Sequence, residues 1–292
     1  MENLLSVAFD HLSSYDGAKI RKGLRQVEGL LATICLSKRD KDKDKSAGAG
    51  SDAQQDENAP KNLAGISDDP AFEQFFKLQE GFEWNVALRL VNTLDRLLAK
   101  GNDGQNDLLI LSSLDLIQGV LILHPPSKIL FSREMYMNML LDLLEPDFPP
   151  AVMGATLLVL VVALIDTPQN TRTFEKLDGL LTISSLFRSR STSRDVKKKC
   201  IEFLYFYLMP EVPSIPSART RDSLPDLLQR SPSKLAKAFS DAPREGRERR
   251  DSESVHTRSQ EEKQQLLAKH LNSVDDLVRD LQGNTLFGGA VS

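Results

Sequence analysis

The chain has 292 residues, of which 40% are hydrophobic and 27% charged, with a net charge of −4 and two cysteines, Cys35 and Cys200. Those values support a sizeable core. They exclude a small disulfide-built scaffold, a polytopic membrane protein, a chain without a core, and a nucleic-acid binder held by bulk positive charge.

Residues 3–36 predict two helices. Leu4, Leu5, Ala8, Phe9 and Leu12 share one face of the first. Ile20, Leu24, Val27, Leu30, Leu31 and Ile34 share one face of the second. The start of the chain has no basic leader and is expected to carry no secretion signal. Residues 37–68 lose all periodicity, and the mixed-charge run at 38–45 leads into Gly, Ala, Ser, Gln and Asn. This composition predicts a flexible, disordered insertion.

From residue 69 the helical pattern returns, with helices predicted at 70–79, 84–99, 106–123, 132–144, 150–165, 171–188 and 192–209. Ser191 or Thr192 is the expected cap of the last of these. The segment 148–165 carries 18 uncharged residues. It is shorter than the ~20 residues that a membrane span needs, and Pro149 and Pro150 occupy one end, so a buried core helix is expected. The run Tyr205 to Leu208 is strand-like alone but continues a helical pattern. Sliding 131–165 onto 174–208, an offset of 43, places Phe131 on Phe174, Leu140 on Ile183, Leu143 on Leu186 and Leu160 on Phe203. That period lies within the ~40–47 residues of armadillo and HEAT units. Residues 69–211 therefore read as helical repeats in which stacked pairs bury what none buries alone.

Residues 212–258 are rich in Pro, Ser and Arg and read as a disordered tail. Within them Ser231 precedes Pro232 and Lys234, and Ser252 follows Arg247, Arg249 and Arg250, both candidate phosphorylation sites. A final amphipathic helix is predicted at 259–283. Ser259 and Glu262 form its capping box, and Leu267, Leu271, Val274, Leu277 and Val278 lie on its apolar stripe. That stripe needs cover, from the end of the solenoid or from a partner. The expected organisation is 1–36, an N-terminal helical pair packed on the repeats; 37–68, the insertion; 69–211, the repeats; 212–258, the tail; and 259–283, the last helix.

Catalytic motifs are missing. There is no Walker loop, no G-x-G-x-x-G and no G-x-S-x-G. The four histidines have no metal-ligand spacing, and the two cysteines make no zinc motif. A cysteine phosphatase needs Cys, five residues, then Arg. Cys200 is followed at that spacing by Phe206, and Cys35 by Lys41. The acid pairs Asp68–Asp69, Glu261–Glu262 and Asp275–Asp276 read as solvated helix ends or faces. No enzyme and no cofactor is expected. The cluster Arg188, Arg190, Arg194, Lys197, Lys198 and Lys199, opposed only by Asp195, suits phosphate groups or an acidic partner surface. It lacks the interleaved aromatics of a single-strand nucleic-acid platform. Tyr205, directed away from Phe203, Phe206 and Tyr207, is a candidate interface anchor.

The segment 170–211, NTRTFEKLDGLLTISSLFRSRSTSRDVKKKCIEFLYFYLMPE, closely resembles the fungal cell-division-control proteins of the septation initiation network. The resemblance extends to 2–37, 230–239 and 261–289. It does not point to the dual-specificity phosphatase that shares the name in budding yeast. The resemblance implies an armadillo-like, all-α regulatory subunit that binds a germinal-centre-class protein kinase. It also implies contact with other network components, no nucleic acid and no membrane insertion. The implied place is the cytoplasm, at the spindle pole body during division, where the cascade triggers septum formation and cytokinesis. It carries over no catalytic residue. The alternative is a general armadillo-type adaptor without a dedicated kinase.

Overall fold

A computed structural model describes residues 1–36, 66, 69–99, 104–211, 257–271 and 274, and every regular element among them is helical. The N-terminal pair is α1 (Glu2–Leu12) and α2 (Gly17–Cys35), the latter capped by the Asp16 side chain, which accepts from Ala18 N. Three groups of helices follow. The first holds α3 (Pro70–Glu80), α4 (Val86–Leu98) and α5 (Asp107–Leu123). The second holds a 3-10 helix (Pro125–Ser132), α6 (Glu134–Asp142) and α7 (Pro150–Leu164). The third holds α8 (Pro168–Lys176), α9 (Gly179–Arg188) and α10 (Arg194–Leu208). Last comes α11 (Gln260–Ala268).

The last helices of successive groups pack in series: α2 on α5, α5 on α7, α7 on α10. Helix α11 packs on α10. The reason lies in composition. Helices α5 and α7 are apolar on nearly every face, and α7 buries Val152, Met153, Gly154, Thr156, Leu157, Val159, Leu160, Ala163 and Leu164. A helix without a polar face must be covered on opposite sides. The remaining helices are one-sided and form the outer cover. Phe131 and Phe174, matched by the offset of 43, are both fully buried, as are Leu140 and Ile183.

Polar bonds between groups recur at a similar spacing. Asn85 Nδ2 donates to Ser127 Oγ at 3.1 Å, 42 residues away. Asn170 Nδ2 donates to the Lys128 carbonyl at 2.7 Å, again 42 residues away. Thr173 donates to the Ser132 carbonyl over 41 residues, and Tyr136 OH meets Asn92 over 44. The same Asn170 amide also donates to the Ala163 carbonyl at 2.7 Å. One side chain thus bonds a carbonyl inside the 3-10 helix and another in the last turn of α7. Ser127 also meets His124 Nδ1 at 2.8 Å, and burial pushes that imidazole down to about 4. His124 is therefore neutral near pH 7.

Four boundaries differ from expectation. The last helix, expected over 259–283, ends at Ala268 and gives way to a turn before Leu271. The helix predicted at 171–188 is two helices, because Asp178 adopts φ 57 and breaks the hydrogen-bond ladder. Asp tolerates this left-handed conformation better than most residues. Gly179 is required beside it, since a Cβ there would lie 2.3 Å from the Phe174 ring. The helix predicted at 132–144 spans only Glu134–Asp142, and Ser132 closes the 3-10 helix opened by Pro125 and Pro126. The cap of α10 is Ser193, not Ser191 or Thr192, and its hydroxyl accepts from Val196 N at 3.4 Å. The insertion at 37–65, the tail at 212–256 and the stretch 275–283 lie outside the described residues. No described helix is long and apolar enough to cross a membrane.

Replacing the buried amide of Asn170 by a methyl tests the cross-group bonds. Asn170→Ala leaves two buried carbonyls without a donor and is expected to cost about 2–4 kcal/mol in urea unfolding. The exposed Leu108→Ala should stay within about 0.5 kcal/mol.

Candidate functional site

Two places carry charge that the core does not explain. The first is the turn between α9 and α10. Arg188 closes α9, Arg190 stands in the turn, and Arg194 opens α10 one residue after its cap, Ser193. Within the turn, Ser191 N donates to Ser189 Oγ at 3.3 Å, which holds the loop in a tight local fold. Arg188, Arg190, Arg194 and Lys198 are exposed, whereas Lys197 and Lys199 are half-buried. Lys198 reaches Glu202 at 3.9 Å along the helix. Lys199 leaves the cluster: its stem lies over Gly154 and its Nζ reaches the Gly154 carbonyl at 3.5 Å. Among the described residues, no carboxylate pairs with Arg188, Arg190, Arg194 or Lys197. The turn therefore presents positive charge that no described carboxylate pairs with. Tyr205, further along α10, is half-buried.

The second place is the seat of α11, which the sequence did not reveal. Lys263, only 4% exposed, donates to the Met209 carbonyl at 2.9 Å and pairs with Glu211 at 3.2 Å. Its ammonium also lies 5.2 Å from the centre of the Tyr207 ring. Tyr207 OH donates to Glu175 at 2.8 Å. Arg172 bridges the two acids, pairing with Glu175 at 3.2 Å and with Glu211. Arg258 adds its Nε to Glu175 at 3.2 Å and its backbone N–H to Glu211 at 2.9 Å. Burial raises the Glu175 carboxyl and depresses Lys263, each opposed by its charged neighbours. Three cations and two carboxylates thus form one network, in which Lys263, Glu175 and Glu211 are buried while Arg172 and Arg258 keep partial access to water. The sequence signal was a lysine on an apolar face, four residues before Leu267.

The predicted cap is present: Ser259 N donates to Glu262 at 2.8 Å, and Glu262 N to Ser259 Oγ at 3.3 Å. Leu267, Leu271 and Val274 are buried within this chain, so in this conformation they are not offered to a partner. Leu277, Val278, Ser231 and Ser252 lie outside the described residues. Asp69, one of the acid pairs, caps α3 by accepting from Ala71 N at 2.7 Å.

Cys200 is not placed for nucleophilic chemistry. Cys200 is fully buried, and burial pushes its thiol up to about 12. At neutral pH it is a thiol and not the thiolate that nucleophilic attack needs. No group of three or more metal-ligating side chains occurs among the described residues.

A family model described as "Cell division control protein 14, SIN component" matches residues 1–287. The Cell division control protein 14 of Schizosaccharomyces pombe (strain 972 / ATCC 24843) is 29% identical over 223 residues, covering 74% of this chain and 82% of that protein. No solved structure matches.

The seat of α11 makes a specific demand. Lys263→Met keeps the volume but takes one buried partner from Glu211 and the donor from the Met209 carbonyl, a loss expected to cost about 3 kcal/mol. Hydrogen exchange should then quicken by roughly a hundredfold in α11 while α7 is unchanged.

Proposed function

Because the chain belongs to the Cell division control protein 14 family of septation initiation network components, we propose that it is the non-catalytic regulatory subunit of a protein kinase. The family is named as a network component and not as a catalytic family. The kinase is of the germinal-centre class. The chain scaffolds it at the spindle pole body and promotes septum formation and cytokinesis.

The observation that carries this reading is the basic turn, which no described carboxylate pairs with, on an all-helical frame. Arg188 and Arg194 stand at the facing ends of α9 and α10, with Arg190 in the turn between them, and both helices bury one face against their neighbours. Charges grouped in this way favour one partner orientation and speed encounter with an acidic surface. Tyr205 lies on the same helix and is the aromatic candidate for that contact. The recurrence of cross-group bonds at 41–45 residues supports an armadillo- or HEAT-like repeat. In such a stack each group positions the next, and a turn at one end is held by the whole series.

Native purification of the full chain from dividing cells, with mass spectrometry, tests this. One germinal-centre-class kinase at about one-to-one is the expected result. Arg188→Glu with Arg190→Glu and Arg194→Glu should lower its recovery by about tenfold or more with an unchanged helical spectrum. Recovery of the full chain without any kinase under gentle conditions would overturn the proposal.

A further inference from the structure

The basic turn borders a cavity. About 370 Å³ of space opens between the end of α6 and α9, lined among others by Leu144, Pro146, Leu181, Leu186, Ser189 and Thr192. Its walls are mainly apolar, and Leu181 is 42% exposed at the rim. Ser189 and Thr192 belong both to the cavity wall and to the turn that carries Arg188, Arg190 and Arg194. An open apolar recess and a cationic rim are thus continuous. Glu145 stands in the cavity lining as well, after α6 in the chain's course.

We propose that this recess and the basic turn together dock a short acidic segment of a partner protein that carries one or two leucine-like side chains. The apolar side chains enter between Leu144 and Leu181, where they replace water against hydrocarbon. The flanking carboxylates reach Arg188, Arg190 and Arg194, whose guanidinium groups suit bidentate carboxylate contacts. Glu145, in the same lining, disfavours carboxylates placed beside it. Either half alone is a weak site. Exposed ion pairs contribute little each, and a recess of this size holds only one or two side chains. Their adjacency gives the specificity: an apolar peptide lacks the charge, and an acidic peptide without an apolar residue leaves the recess empty. This inference rests on the reading of the basic turn as the partner-binding surface, and names the chemistry of what binds there.

The test uses the full chain and fluorescein-labelled peptides in anisotropy titrations. The probe is EDDLLDEE. The controls are EDDGGDEE, which lacks the apolar pair, and QNNLLNQQ, which lacks the charge. EDDLLDEE should bind about tenfold or more tightly than either control. Leu181→Asp, at an exposed position where folding is not at stake, should weaken it by about tenfold, as should Arg188→Glu with Arg190→Glu. Equal binding of EDDLLDEE and EDDGGDEE would overturn the proposal by removing the recess from it. Unchanged binding in either variant, or no binding of the probe at millimolar concentration, would overturn it as well. Kinase recovery is scored separately on the same preparations. If the probe binds as stated while the wild-type chain recovers no kinase, the docking groove stands and the kinase reading falls.

Discussion

Helix α7 is apolar on every side, and this single requirement organises its neighbours. Its segment contains Leu, Val, Ala, Met, Gly and one Thr between Pro150 and Leu164, and the Thr156 hydroxyl is spent on the Val152 carbonyl at 2.9 Å. Such a helix is stable in water only when other elements cover all of its faces. Helix α5 packs on it and so does α10, while the 3-10 helix and α8 meet it near its C-terminal end. Because α5 is nearly as apolar, it must be covered in turn, and α2 does so. A series of packed helices follows from two sequences that must bury most of their surface.

Burial of apolar area alone does not fix register along such a series. The cross-group hydrogen bonds do. Asn85, Asn170, Thr173 and Tyr136 each reach a group 41–44 residues away. Each reads out a position in the neighbouring group, and a slip of one residue would leave buried donors and carbonyls unpaired. At the far end the device changes from neutral bonds to charge. The cluster of Arg172, Glu175, Glu211, Arg258 and Lys263 joins α8, the end of α10 and the start of α11. The result is a stack whose groups are joined by bonds between specific residues as well as by apolar contact.

Much of this was legible in the sequence, for physical reasons. The long apolar stripes placed the helices to within a few residues, and the absence of amphipathicity in 150–164 identified the innermost one. The capping box at Ser259 and Glu262 was readable because its chemistry is local. The failures are equally specific. The break at Asp178 depends on a ring from Phe174 filling the space above Gly179, a contact that periodicity does not encode. The 3-10 helix at 125–132 begins with two prolines and so resembles a loop. The seat of α11 was hidden because an amphipathic stripe states that it needs cover without stating whose. The recess beside the basic turn was invisible for the same reason: Leu144 and Leu181 come from different groups and meet only in the fold. The basic cluster itself was readable, except that Lys199 turns inward over Gly154.

The claim that α7 is the innermost element of an all-helical stack is tested most directly by native-state hydrogen exchange resolved by segment. The account predicts that the amides of α7 exchange only through global unfolding, with the same denaturant dependence as the whole molecule. Those of α11 should exchange through a smaller local opening. Exchange in α7 as fast as in α11, or insensitive to denaturant, would contradict it.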